Sequence, residues 1–397
     1  MAMKHAVILA GGLGTRLHPL TLTRAKSLLP LAGVPLIHRL VRYLDDNGFD
    51  TIVITLNNFS GQIKESFENF NSRASLRFSE ESSPLGTAGS VKNAKRYINE
   101  KNFLVIQGDT LTDFNLDIAR AFHFEDRERI ATILLKERRD VNGLGVVDLD
   151  TQSIISRFVE KPSFTDGLSN LVSTGIYLLE PEVLDYIPDN QPYDFAKDLF
   201  PELMLQGLRI KGLPMAGYWI DIGTPKAYRE ACLSFLRSTT RQPRGPPHHR
   251  QIDRYPANVE LSTQVLPQFS SFSSKGLIGA GCSIDKRALV EGCILEKNVT
   301  VGSGAILRDS VILENSKIDA CAVIASAIIG EGCHIGYGSG IGRGAVLGGF
   351  VKARSFSFVK QNSVIPAKSI IEPALSSGVS RARDGMVDSQ TMVFQHS

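Results

Sequence analysis

The apolar positions of the chain fall into two regimes that meet near residue 238. From residue 5 to about 235, short continuous apolar runs alternate with segments whose apolar residues recur at helical spacing. "HAVILA" (5–10), "TIVITL" (51–56), "FLVIQGD" (103–109) and "ATILL" (131–135) supply the runs, which read as buried strands. In "PLIHRLVRYLDDNGF", Leu36, Ile37, Leu40, Val41 and Leu44 fall on one helical face, and Gly48 supplies the stop. Alternation of this kind predicts an α/β domain, a mostly parallel sheet with helices on both faces. Ligands of such sheets lie beyond the carboxyl ends of the strands.

Beyond residue 275 the period changes. Aliphatic residues stand at Ile278, Ile284, Val290, Leu295, Val301, Leu307, Ile312, Ile318, Ile324, Ile329, Ile335 and Ile341. The steps run 6, 6 and 5 and then repeat, so a new unit opens at Ile278, Leu295, Ile312 and Ile329. No helix or ordinary hairpin has a period near six. A solenoid with three short flat strands per coil does, each strand turning one aliphatic residue inward. The pattern resembles the hexapeptide-repeat left-handed parallel β-helix. The segments 259–275 and 350–372 are expected to be irregular or partial coils. The expected organisation is a first domain over 1–237, a proline-rich linker over 238–258, the β-helix over 259–375 and a polar tail over 376–397.

Composition narrows the function classes. The chain is 43% hydrophobic and 21% charged, as a soluble globular protein is. A net charge of +3 is too small to point to nucleic acid or a membrane surface, and no apolar run approaches a membrane span. "MAMK" leads straight into a strand, so no signal peptide is expected and the cytoplasm is the expected compartment. The five cysteines (232, 282, 293, 321 and 333) show no CxxC spacing and read as packed side chains. His248 and His249, adjacent in the linker, read as solvated.

Candidate chemistry begins in "ILAGGLGTRLHPLT" (8–21), where Gly11, Gly12 and Gly14 follow a strand. Glycines there let bare N–H groups approach a ligand, a common cradle for phosphate. The dinucleotide and Walker A fingerprints both fail, because Arg16 and Leu17 stand where those motifs need glycine or lysine. A triphosphate would draw cations, and Arg16 and Lys26 are placed early in the chain to serve. Magnesium would need carboxylates. Asp109 in "VIQGDTL" and Asp221 in "GYWIDIGTP" each lie near a glycine and after an apolar run.

The segments "LAGGLGTRLHPLT…AKSLLPLAGVPLI", "SPLGTAGSV", "QGDTL", "FVEKP", "STGIYLLEPEVLDYIP", "YDFAKDLFPEL" and "GYWIDIGTPKAY" occur in the order found in sugar-nucleotide pyrophosphorylases. The chain resembles that nucleotidyltransferase family, most of all mannose-1-phosphate guanylyltransferases. The resemblance implies a Rossmann-like mixed sheet. It implies that Gly11, Gly12, Gly14 and Thr15 wrap the triphosphate, with Arg16 on its β and γ groups and Lys26 near the reacting phosphorus. Pro84, Leu85, Gly86, Thr87 and Ala88 would meet the nucleoside. Asp109 and Asp221 would hold Mg2+. Gly145, Glu160, Lys161 and Thr174 would surround the sugar phosphate. Ser27 replaces the family's usual proline, and Ser173 stands where many relatives have asparagine.

The implied partners are a nucleoside triphosphate and a sugar 1-phosphate, with GTP and mannose 1-phosphate preferred over UTP or dTTP with glucose 1-phosphate. A non-catalytic regulatory or scaffold role is the competing reading. Intact Arg16, Lys26, Asp109 and Asp221 weigh against it. For the repeat domain, homo-oligomerisation or regulation is expected ahead of acyl transfer, for which His334 is the single histidine within the repeats.

Overall fold

The structure, a computed structural model, describes residues 3–98, 102–162, 167–240 and 276–373. Two compact units share the chain. The first comprises residues up to Leu13, Ala25–Leu29 and Pro35–Ile222. The second comprises Gly14–Arg24, Pro30–Val34 and the chain from Gly223 onward. Both units thus include residues from the first forty positions of the chain.

The first unit is built on a nine-stranded mixed sheet. Strands β1 (His5–Leu9), β2 (Thr51–Leu56), β3 (Ser75–Glu80) and β4 (Phe103–Gln107) run parallel, with β1 between β2 and β4. On the far side of β4, strand β9 (Leu171–Leu179) pairs antiparallel with β4 and with β6 (Arg129–Glu137). The hairpin of β7 (Gly145–Leu149) and β8 (Ile155–Glu160) extends that edge, and β10 (Arg209–Pro214) runs parallel beside β6. Successive residues of β1 show why the strand carries no polar alternation. Ala6 and Ile8 enter one core, whereas Val7 enters another. Helices α1 (Leu36–Asp46) and α3 (Leu116–Glu125) fill the first core, and α2 (Gly86–Asn93) with Phe200 and Leu203 fills the second. Both sheet faces are covered, as the continuous apolar runs require. All five residues assigned to the apolar face of α1 are buried, and Gly48 takes φ +74° just past its end.

The second unit is a solenoid of parallel sheets of six, six and five short strands, consistent with a left-handed β-helix. Ile278, Leu295, Ile312, Ile329, Leu347 and Ile365 stack in register down one sheet. Each coil lengthens by one position beyond Ile329, because every later step is six. Coils consequently continue regularly through 350–372, against the expectation of irregular ends, with Ala353, Val359, Ile365 and Ile371 filling the inward positions. One corner turns through a left-handed residue in coil after coil: Asn298, Asn315, Gly332, Phe350 and Lys368, with φ between 58° and 64°. Helix α4 (Pro225–Thr240) belongs to this unit and runs through the first three positions of the anticipated linker. The rest of the linker, 259–275 and the tail lie outside the described residues. Among the described residues, no helix is long and apolar enough to cross a membrane.

Candidate functional site

Adjacent parallel strands bring the first pieces together. Leu9, the last residue of β1, is paired with Gln107, the last of β4, and the Gly108 N–H donates to the Leu9 carbonyl at 2.9 Å. A Cβ at Gly108 would lie 2.7 Å from that carbonyl, so only glycine permits the approach. Gly11 and Asp109 therefore leave neighbouring strand ends, where ligands of such sheets bind. Asp221 arrives from far later in the sequence, on strand β11 (Trp219–Asp221). That strand lies antiparallel to β5 (Thr110–Thr112), with Asp221 opposite Thr110, and the Ile222 N–H donates to the Asp109 carbonyl at 3.1 Å.

The two carboxyl groups meet. Asp221 lies within hydrogen-bonding reach of the Asp109 side chain, and the Lys26 ammonium donates to the same Asp109 carboxylate. Burial pushes the Asp109 carboxyl up, but the Lys26 charge and hydrogen bond, with that from Asp221, hold it below the usual carboxylate range. Lys26 stands on one 3-10 turn, Lys26–Leu28, and Gln62 Oε1 accepts from the Ala25 N–H at 3.2 Å. Among the described residues no group of three or more His, Cys, Asp or Glu could enclose a metal. Two adjoining carboxylates are nevertheless the donor set that magnesium uses when phosphate and water complete its octahedron. Asp109 and Asp221 fit that ion.

Gly12 has open space where a Cβ would stand, and Gly11 lies against Asn57. In the second unit, Gly14 takes φ 64° and caps the single turn Thr15–Leu17. Its carbonyl accepts from the Leu17 N–H at 2.9 Å and the Thr21 hydroxyl at 2.8 Å. Leu17 is buried, while Thr15 and Arg16 are exposed.

The expected nucleoside segment, residues 84–88, forms the entry to α2. Gly86 has φ +71°, and a Cβ there would meet the Tyr193 carbonyl at 2.6 Å. That carbonyl accepts from Ala88 and Gly89, and the Thr87 hydroxyl donates to Asp194 at 2.8 Å. Thr87 and Ala88 are thus engaged within the protein, whereas Pro84 and Gly86 are exposed. Glu81 went unnoticed in the sequence. Its Oε2 accepts from the Leu85 N–H at 3.2 Å, and burial raises its pKa against the hydrogen bonds from Ser90 and Leu85. Its place just upstream of Pro84 was the one available signal.

The expected sugar-phosphate residues divide. Gly145 and Glu160 are opposite each other on β7 and β8, and a Cβ on Gly145 would sit 2.8 Å from the Glu160 carboxylate. Lys161 pairs with Glu160 at 2.7 Å. Thr174 is buried, its hydroxyl donating to the Leu134 carbonyl at 2.7 Å and its carbonyl accepting from the Trp219 indole at 3.0 Å. It anchors the strand that carries Asp221, and its hydroxyl is not turned outward.

A family described as Nucleotidyl transferase matches residues 5–238, and one described as GMPPB C-terminal domain matches 272–379. The chain is 31% identical over 371 residues to a mannose-1-phosphate guanyltransferase of Schizosaccharomyces pombe, covering 92% of this chain and 96% of that one. It is 30% identical over 343 residues to a UTP–glucose-1-phosphate uridylyltransferase of Synechocystis, covering 79% and 88%. The crystal structure of HddC from Yersinia pseudotuberculosis, complexed with GMP-PN, matches with TM-score 0.52 and 31% identity, over 59% of this chain and all of that one.

Proposed function

Because the chain belongs to the nucleotidyl transferase family, we propose that it joins GTP to mannose 1-phosphate, giving GDP-mannose and pyrophosphate. The broader class, a sugar-1-phosphate nucleotidyltransferase, rests on the family match and on relatives aligned over most of the chain. The observation that carries the chemistry is the meeting of Lys26, Asp109 and Asp221 where β1 and β4 end. Such a cluster suits phosphoryl-type transfer, which needs positioning and charge neutralisation more than a protein nucleophile.

A sugar phosphate is largely dianionic at neutral pH, its second pKa being about 6. One of its oxygens attacks the α-phosphorus of the triphosphate. A new P–O bond forms as the bond to the β-phosphate bridging oxygen breaks, and the electron pair leaves with pyrophosphate. Gly11, Gly12, Gly14 and Thr15 bind the triphosphate and Arg16 neutralises its outer phosphates. Lys26 shifts from Asp109 toward the α-phosphate as charge builds there. Asp109 and Asp221 would hold magnesium, which would supply neutralisation of phosphate charge. Glu160 accepts from sugar hydroxyls and Lys161 meets the sugar phosphate. Thr174 contributes by fixing Trp219.

Two things favour guanine and mannose. The chain is similar over nine-tenths of its length to proteins named mannose-1-phosphate guanyltransferase. Glu81 also brings a carboxylate next to Pro84–Ala88, an acceptor type suited to the two N–H donors on the edge of guanine where uracil has one. The second reading, UTP with glucose 1-phosphate, is favoured by the similarity to the Synechocystis uridylyltransferase. Pyrophosphate release over a matrix of triphosphates and sugar 1-phosphates tests both. The reading expects the highest kcat/KM for GTP with mannose 1-phosphate, and a higher value for another pair rejects that substrate assignment.

A further inference from the structure

Consecutive coils of the solenoid place Glu314 and Glu331 at one corner, each just before the left-handed turn residue of its coil, Asn315 and Gly332. Paired strands lie about 4.8 Å apart, and like charges stacked across them repel. Glu331 is buried and Glu314 is largely so. The answering charge comes from the other end of the chain. Arg24 donates to Glu314 and faces Glu331 at 3.7 Å, and the Thr23 hydroxyl donates to Glu331.

The next coil carries Gly349 where a side chain would obstruct this docking, and Gly348 beside it, which the Ala367 backbone also keeps free of a side chain. A Cβ on Gly348 would lie 2.9 Å from Pro19 Cβ, and one on Gly349 would lie 2.6 Å from Glu331 and 3.1 Å from the Thr23 hydroxyl. Charge and shape at this corner both suit the segment Pro19–Arg24. The same segment continues from Gly14, Thr15 and Arg16, and the Thr21-to-Gly14 hydrogen bond closes it upon itself.

Resting on the nucleotidyltransferase reading, we propose that Arg24 is a positioning residue, with Glu314 and Glu331 as its receptor in the solenoid. By fastening the far end of the Gly14–Arg24 segment, it presets the conformation in which Thr15 and Arg16 meet the triphosphate. The solenoid thereby acts on nucleotide binding through a segment of its own unit. Preordering a loop strengthens binding by reducing the conformational freedom lost when the ligand arrives, so the effect belongs in the nucleotide KM and not in the chemical step.

The test uses the full chain with Arg24→Gln, Glu314→Gln, the double variant and Arg24→Lys. Arg24→Gln is expected to raise the KM for the triphosphate about tenfold, while kcat and the sugar-phosphate KM move less than about twofold. Glu314→Gln gives a smaller rise, the double variant is no worse than Arg24→Gln because the two share one interaction, and Arg24→Lys restores most of the loss. Without ligand, amide hydrogen exchange across Leu17–Thr21 accelerates about tenfold in Arg24→Gln. An unchanged triphosphate KM in Arg24→Gln and Glu314→Gln overturns the proposal, as does a uniform loss in every parameter accompanied by a lower melting temperature. If the wild-type chain releases no pyrophosphate with any substrate pair, the functional reading fails. The exchange measurement then decides the anchoring alone, unchanged exchange overturning it and faster exchange supporting it.

Discussion

Two clusters of the same charge composition stand in the two units, each with two carboxylates and one long cation. In the first unit Lys26 meets Asp109, which meets Asp221. In the second, Arg24 meets Glu314 and Glu331. Solvent access does not separate them, since Lys26 and Asp109 are 16% and 17% exposed and Arg24 and Glu314 are 15% and 16%. Their neighbours do. Asp109 follows Gly108 at a strand end next to the one that Gly11 and Gly12 leave, and Gly12 has open space where a Cβ would stand. The glutamate corner is filled by Thr23 and Pro19 against Gly348 and Gly349. Similar charge and burial stand at a strand end in one case and in a joint packed by neighbouring side chains in the other.

The sharpest way to break this comparison is to remove a carboxylate from the open cluster. Asp109→Asn and Asp221→Asn should each lower kcat by about a thousandfold, the scale seen when a fixed electrostatic group leaves an active site. The melting temperature should stay near wild type. Activity retained at both positions would remove Asp109 and Asp221 from the chemistry. The solenoid should respond in stability instead. Ile324→Ala, at a fully buried inward position, is expected to cost about 3 kcal/mol, read from the denaturation midpoint of the full chain.

A smaller effect separates the units by pH. His123 is buried in the first unit between Asn102 and Thr132, both at 2.8 Å, and burial with the nearby Arg129 pushes its pKa down to about 3. Its native pKa lies below the unfolded value, so the stability that the neutral ring confers is complete above about pH 6.5. It is lost as pH falls toward 3, at about 1.4 kcal/mol per unit. Denaturation between pH 6 and pH 4 should show that slope, and His123→Gln should flatten it. The smallest effect concerns the base. Glu81→Gln should reduce the preference for GTP over UTP by about fivefold, the scale of one hydrogen bond, read as a ratio of kcat/KM values.

Much of the fold was legible because the relevant signals are local. The α1 face, the runs at 51–56 and 103–107 and the aliphatic repeat of the solenoid each specify one element from their own spacing. The extension of the coils to Ile371 was harder to see, because the spacing that marks a new coil changes beyond Ile329 while Ala353 and Val359 keep the inward positions. Asp109 and Asp221 could be nominated separately as strand-end acids, but their meeting depends on the pairing of β5 with β11, two strands remote in sequence. Thr174 shows the opposite limit. Its sequence neighbourhood pointed to a ligand, and only the structure shows its hydroxyl engaged by Leu134. Arg24 gave no local sign at all, since both of its partners belong to the solenoid at the opposite end of the chain.

The most direct measurement is magnesium-dependent pyrophosphate release by the full-length chain with GTP and mannose 1-phosphate, run beside Asp109→Asn. The account predicts release by the wild type, formation of GDP-mannose in equal amount, and almost none from the variant. Equal release by wild type and variant, or none by the wild type with any triphosphate and sugar 1-phosphate, would contradict it.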